Sequence, residues 1–197
     1  MFKKLLFSAV FAACVINANA QKSVQLSYQL GLPASQYSGN MGMSIAGANL
    51  KFAFWKDDYI RFNLGSGFYQ VPYKEVLVDG VPRTTDAVVS FVPVTFGGEF
   101  YFLGETNDKQ PSKIKPFIGV DIGYMLALQS ESDQAPATNR NHFMFAPTFG
   151  IAYKMSESMD FFGAIRNNII LYERQGVLNY LQPFQLVGIN IGFNFKL

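Results

Sequence analysis

Cysteine is almost missing from this chain. The single one is Cys14, which leaves no partner for a disulfide and no set of thiolates for a zinc site. Histidine is equally scarce, with His142 alone. Charge is thin, at 15% of residues against about 25% in an ordinary soluble domain. Lys+Arg total 16 and Asp+Glu 14, and Lys3 and Lys4 lie among the first 20 residues, so residues 21–197 hold 14 of each and no net charge. Without a basic excess, no nucleic-acid partner is expected. After Ala20 no continuous apolar run is long enough to cross a bilayer as a helix. What the chain has instead is 20 Phe and 17 Gly in 197 residues. An aromatic content of 16% excludes a disordered chain, and the length suits one domain.

Residues 1–20 read as a secretory signal peptide. Lys3 and Lys4 give the positive start, Leu5 to Ile16 the apolar stretch, and Ala18-Asn19-Ala20 the small-x-small cleavage site before Gln21. Phe11-Ala12-Ala13-Cys14 loosely resembles a lipoprotein cleavage box, with Phe where Leu is usual. Either route takes residues 21–197 out of the cytoplasm as one domain.

That domain alternates with period two, the mark of strands with two unlike faces. Val24 to Leu32 puts Leu26, Tyr28 and Leu30 against Ser27, Gln29 and Gly31. The same alternation runs through Leu50–Phe54, Ile60–Phe68, Val92–Phe102, Ile118–Ala127, Phe143–Ile151 and Val187–Leu197, and more weakly through Phe161–Arg166. Eight segments of about ten residues each match the length a tilted strand needs to cross a bilayer. The predicted fold is all-β: an eight-stranded antiparallel up-and-down transmembrane β-barrel, closed so that no edge is left unpaired.

Alternation alone does not say which face is outside. The polar parity is rich in Gly, which suits the crowded interior of a small barrel, and holds the mid-strand charges Lys51, Arg61, Glu99, Asp121 and Arg166. On a lipid face each Lys or Arg would cost about 2–4 kcal/mol at mid-membrane. These five are therefore expected to form a charge network in the lumen, more as a structural neutralising set than as a selectivity lining. The apolar parity carries aromatics at its ends (Tyr28, Phe52, Phe54, Phe100, Phe102, Tyr124, Phe143, Phe193, Phe195), with Trp55 and Tyr59 beside a turn, as in an interfacial girdle. The connections at Lys56–Asp58 and Met155–Ser158 are short. Those after the first, third, fifth and seventh segments are longer, as external loops should be; Leu103–Lys113 is long for its place. Val78-Asp79-Gly80-Val81 is a hairpin signal in the third loop, where the flanking strands should extend beyond the membrane.

Chemistry is sparse. A general base at His142 would need a nucleophile and an orienting group within hydrogen-bond reach. Ser130, Glu131, Ser132 and Asp133 precede it, but no spacing marks a triad, and His142 reads as a residue of the external rim. Ser130-Glu131-Ser132-Asp133 lacks EF-hand spacing and reads as a solvated loop. Gly65-Ser66-Gly67 has no following helix and is no phosphate loop. No catalytic residue, metal or cofactor is expected.

Two segments are more specific. Val92-Pro93-Val94-Thr95-Phe96-Gly97-Gly98-Glu99-Phe100-Tyr101-Phe102 is a Pro-led strand ending in Tyr-x-Phe. Pro116-Phe117-Ile118-Gly119-Val120-Asp121-Ile122-Gly123-Tyr124 is a Pro-aromatic-x-Gly strand ending in Gly-Tyr. With Gln21 directly after the cleavage site, they make the domain resemble the small outer-membrane β-barrel family common in Bacteroidetes. The last strand, with Phe195 two before Leu197, resembles the insertion signal read by the barrel-assembly machinery. The resemblance implies the outer membrane of a Gram-negative bacterium, contact with outer-membrane lipid, and no assigned catalytic residue. The expected role is a non-enzymatic, monomeric barrel that anchors, binds or adheres through an unknown external-loop ligand. Two alternatives stand beside it: a narrow channel for small or apolar solutes, and a soluble periplasmic barrel around an apolar ligand.

Overall fold

A computed structural model describes residues 22–34, 41–56, 59–72, 74–78, 81–84, 88–103, 113–129, 139–173 and 181–197. The signal-peptide expectation lies outside these residues. Ten strands form: β1 (Ser23–Pro33), β2 (Ala46–Lys56), β3 (Ile60–Pro72), β4 (Glu75–Val78), β5 (Val81–Thr84), β6 (Val88–Tyr101), β7 (Ile114–Gln129), β8 (Asn139–Lys154), β9 (Met159–Glu173) and β10 (Leu181–Lys196). Eight of them close into a barrel in the order β1-β10-β9-β8-β7-β6-β3-β2, every neighbouring pair antiparallel. Each predicted segment is one of these eight strands. They run 11–16 residues, longer than the ten expected, and most of the extra length on β6 to β10 lies at the end away from the chain termini.

The register sets the barrel's shape. Pairing takes Ser23 to Ala53, Asn63, Gly97 and Asp121, then to Ala146, level with Asn168, then to Leu186 and back to β1 at Pro33. One circuit thus climbs ten positions of β1. With about 3.3 Å per residue and 4.8 Å between strands, that stagger gives a tilt of roughly 40°. The climb is an even number, so inward-facing residues of β1 meet inward-facing residues of β10 and parity survives closure.

Outside, the wall is apolar. On β7, Ile118, Val120, Ile122 and Tyr124 are all exposed, and on β10 so are Ile189, Ile191, Phe193 and Phe195. From Ile114 to Tyr124 the tilted strand spans roughly 25 Å, the height of the apolar band of a membrane barrel. Aromatic contacts concentrate at the end holding the termini: Tyr59 stacks on Phe100, Phe100 meets Phe102 edge-on at 5.5 Å, and Phe161 and Phe193 pair at 5.5 Å. Near the opposite end Tyr124 and Phe143 make an edge contact at 6.1 Å. The girdle is therefore heavier on one side than the sequence suggested. Trp55 has no described side chain.

Two prolines interrupt the ladder. The β3–β6 pairing lapses between Ser66↔Val94 and Tyr69↔Phe91, around Pro93, which has no N–H to donate. There the outward-facing Ser66 hydroxyl donates to the Pro93 carbonyl at 3.0 Å. In hydrocarbon such a carbonyl has no water to turn to. Pro147 interrupts β8–β9 in the same way. The short connections after β2 and β8 and the long one after β6 stand as the sequence read. In the turn after β8, Lys154 Nζ lies 2.8 Å from Glu157 Oε1 and, by that hydrogen bond and its charge, holds the exposed carboxyl below its usual range. β4 and β5 pair across Val78↔Val81 as a separate two-stranded sheet and do not continue the β3–β6 ladder; Asp79 and Gly80 lie outside the described residues.

Candidate functional site: a charge network sealed in the lumen

The interior is built in layers. In the half away from the termini, Tyr69, Phe91, Met125, Met144, Ile170 and Leu186 are fully buried and form one apolar cluster with Val71, Val89 and Phe184. Phe91 stacks on Phe184 at 5.8 Å, and Met41 packs against the cluster. These side chains come from β3, β6, β7, β8, β9 and β10, six of the eight barrel strands, so the cluster forms a septum across much of the bore. A smaller cluster of Tyr101, Phe117, Ala152, Phe162 and Ala164 sits toward the termini.

The polar layer lies mainly on the termini side of the septum. Lys51, Arg61, Glu99, Asp121 and Arg166 are all buried, and the barrel brings all five together. Lys51 on β2 is the link. Its Nζ is 3.3 Å from Glu99 Oε1 and 2.8 Å from Asp121 Oδ2. Glu99 also takes Arg61 through Nη2, and Asp121 takes Arg166 through Nη1. The result is a chain Arg61–Glu99–Lys51–Asp121–Arg166, three cations alternating with two carboxylates. Its surplus positive charge is spread over neutral partners. Arg166 Nε donates to Asn168 Oδ1 at 2.8 Å, and the Arg61 guanidinium lies 5.4 Å from the Tyr101 ring centre. The Tyr101 hydroxyl donates to Glu99 Oε2 at 3.0 Å.

The register explains the meeting. Asn63, Gly97 and Asp121 stand side by side on β3, β6 and β7. Gly97 carries no side chain where the Asp121 carboxylate leans, and a Cβ there would collide with Asp121 Oδ1. Gly65 likewise leaves room beside the Lys51 stem, 3.2 Å from where its own Cβ would be. Gly65, Gly97 and Gly119 on the polar parity thus leave space for the charged side chains of Lys51, Asp121 and Glu99.

Sequence reasoning left out much of the polar interior. Asn49 donates to Gln29 Oε1 at 3.1 Å and to Asn190 Oδ1 at 3.4 Å, and accepts from the Tyr69 hydroxyl. Lys115 and Asp160 are also buried, and Lys196 Nζ sits 3.5 Å from Asp160 Oδ1 at the termini end. The parity that marked Lys51 and Arg61 marks these too. His142, read as lying near the external rim, is the fourth residue of β8 at the end away from the termini; its side chain is 6% exposed and faces the lumen. Among the described residues no three His, Cys, Asp or Glu side chains gather as metal ligands.

The chain matches no protein-family model and no curated protein. Among solved structures it is similar to Neisserial surface protein A, at 13% identity and a TM-score of 0.65, over 89% of this chain and 97% of that one. It is similar to the outer membrane protein OprG from Pseudomonas aeruginosa, at 17% identity and 0.58, over 90% and 96%. Ail, the attachment invasion locus protein of Yersinia pestis, solved with the heparin analogue sucrose octasulfate, matches at 14% and 0.55, over 90% and 99%. At these identities the likeness is one of fold, and the fold is a closed eight-stranded antiparallel barrel of the kind found in outer-membrane proteins.

Proposed function

We propose that the chain is an integral barrel of the bacterial outer membrane, a non-enzymatic monomer that serves as a scaffold and binds or adheres through its external loops. The observation that carries this is the inversion of the barrel: ionised side chains buried within, large apolar side chains over most of the outer wall. Only a lipid surround makes that arrangement favourable, since charges are costly in hydrocarbon and apolar side chains are not. The soluble barrel around an apolar ligand needs the opposite placement. The septum of Tyr69, Phe91, Met125 and Met144 disfavours the channel alternative, because apolar side chains packed across the bore interrupt a continuous water path. The similar structures support the membrane reading, and the name of Ail supports attachment as a role for this shape. The Bacteroidetes-type family and insertion by the barrel-assembly machinery through the β10 strand belong to the same proposal.

The test is fractionation of expressing cells, followed by cold and boiled SDS gels. A heat-shifting band confined to the outer-membrane fraction is the expected result. Folded protein released without detergent would overturn it. Purified barrel in planar bilayers should show no steady conductance; a stable open level would move the assignment to the channel.

A further inference from the structure

The termini end of the lumen is a shallow cup. Its floor is the smaller apolar cluster, with Phe117, Ala152 and Phe162. One step nearer the opening, on the same inward parity, stand Lys115 on β7, Lys154 on β8, Asp160 on β9 and Lys196 on β10. Lys115 and Asp160 are buried, and Lys154 and Lys196 are half-buried. Exposed Lys113 comes two residues before Lys115, and its carbonyl accepts the Lys154 N–H at 2.7 Å. The exposed Glu157 carboxyl is held below its usual range by Lys154 first, and by the charges of Lys196 and Lys115 as well, so these ammonium groups gather on one side of the opening. The Ser23 hydroxyl, buried directly across from Lys196 and without a hydrogen-bond partner, adds a neutral donor on β1. Across these side chains, Lys113, Lys115, Lys154 and Lys196 face only Asp160 and Glu157.

We propose that this cup binds a phosphate group. The surplus of positive charge on its rim matches a phosphate dianion. Ammonium groups bind phosphate as point charges, without the planar pairing that a guanidinium gives a carboxylate. The apolar floor and the barrel wall are of low dielectric, so the field of the lysines is concentrated toward the opening. The mouth of an eight-stranded barrel takes a group of this size and excludes a folded domain. A soluble phosphate ester and a lipid headgroup both carry this chemistry, and the experiment separates them.

The test is an NMR titration of the isotope-labelled barrel in dodecyl maltoside, a phosphate-free detergent. The probe is inorganic phosphate at about pH 8, where it is a dianion. Saturable shifts should gather at the amides of Lys115, Lys154 and Lys196, and sodium chloride at matched ionic strength should not reproduce them. Lys115→Met combined with Lys196→Met should weaken binding roughly tenfold. Glu157→Gln removes a competing carboxylate at an exposed turn position and should tighten binding about threefold. It serves alone if the lysine pair does not give the heat-shifting band, because a merely structural role for Glu157 predicts no gain. Failure to saturate, the same shifts with chloride, or equal affinity in wild type and Glu157→Gln would overturn the proposal. In phosphatidylglycerol nanodiscs, amides already at their bound positions before phosphate is added would assign the group to a lipid headgroup. A full titration there would assign it to a soluble phosphate.

Discussion

Counting charges in the lumen gives an unequal pair of substitutions. Asp121→Asn removes a carboxylate that holds both Lys51 and Arg166. Three buried cations then face Glu99 alone, and Arg166 keeps only Asn168 among its contacts described above. Removing one partner of a buried pair costs about 3–5 kcal/mol, because the remaining charge is desolvated and uncompensated. Lys51→Met removes a cation that touches both carboxylates, and a count of lost contacts would rank it as equally harmful. Charge balance ranks it otherwise. Arg61 stays on Glu99 and Arg166 on Asp121, so the network becomes neutral with each carboxylate still paired. Met fills a similar volume, and no buried ammonium need be desolvated. The expected cost is about 0–1 kcal/mol. Urea titration of the barrel in lipid vesicles, read as the fraction of heat-shifting band, measures both. Equal losses for the two variants, or an Asp121→Asn loss below about 1 kcal/mol, would refute the argument that net charge and not contact number governs this interior.

Three further outcomes are expected. Ile122→Lys, at an exposed position in the middle of the band, should cost about 2–4 kcal/mol in the same titration, where on a solvated surface it would be within about 0.5 kcal/mol. Ser66→Ala, which leaves the Pro93 carbonyl without its hydroxyl donor, should cost about 1 kcal/mol, and Ser66→Thr should restore most of it. Phe91→Ala combined with Met125→Ala should open the septum: the barrel should lose several kcal/mol to the cavity and show more conductance in planar bilayers than wild type measured alongside it.

The strands were legible because period two is imposed by the two sides of the wall, and the eight segments needed no tertiary information. β9 read weakly for a reason visible in the structure. Its inward residues include Phe162 and Ile170, which belong to the two apolar clusters, and its outward residues include Gly163 and Asn167, so apolar and polar do not sort by parity there. The burial of His142 toward the lumen was not legible for a different reason. Strand ends cannot be read from alternation where the chain climbs above the lipid, and β8 begins at Asn139, three residues before it. The septum was hidden for a related reason: Tyr69, Phe91, Met125 and Met144 fall on the polar parity, and their apolar character looked like an irregularity of the pattern.

The charge network could be named but not assembled, and the difference is the register. Parity puts Lys51, Arg61, Glu99, Asp121 and Arg166 inside, yet they come from five strands and their mutual heights depend on the stagger. Had the circuit climbed eight positions in place of ten, Asp121 would face other levels of β2 and β9, and Lys51 would not stand between two carboxylates. The glycines tie sequence to register. Gly97 makes room for Asp121 only because the two are direct neighbours across β6 and β7, and Gly65 for Lys51 only because those two are neighbours across β3 and β2. A one-residue slip would turn every side chain of a strand to the other face. A two-residue slip keeps parity but sets a Cβ against a charged group. The small residues on the polar face thus exclude the registers that hydrophobic alternation alone would permit, and the network they accommodate is part of how the barrel selects its own closure.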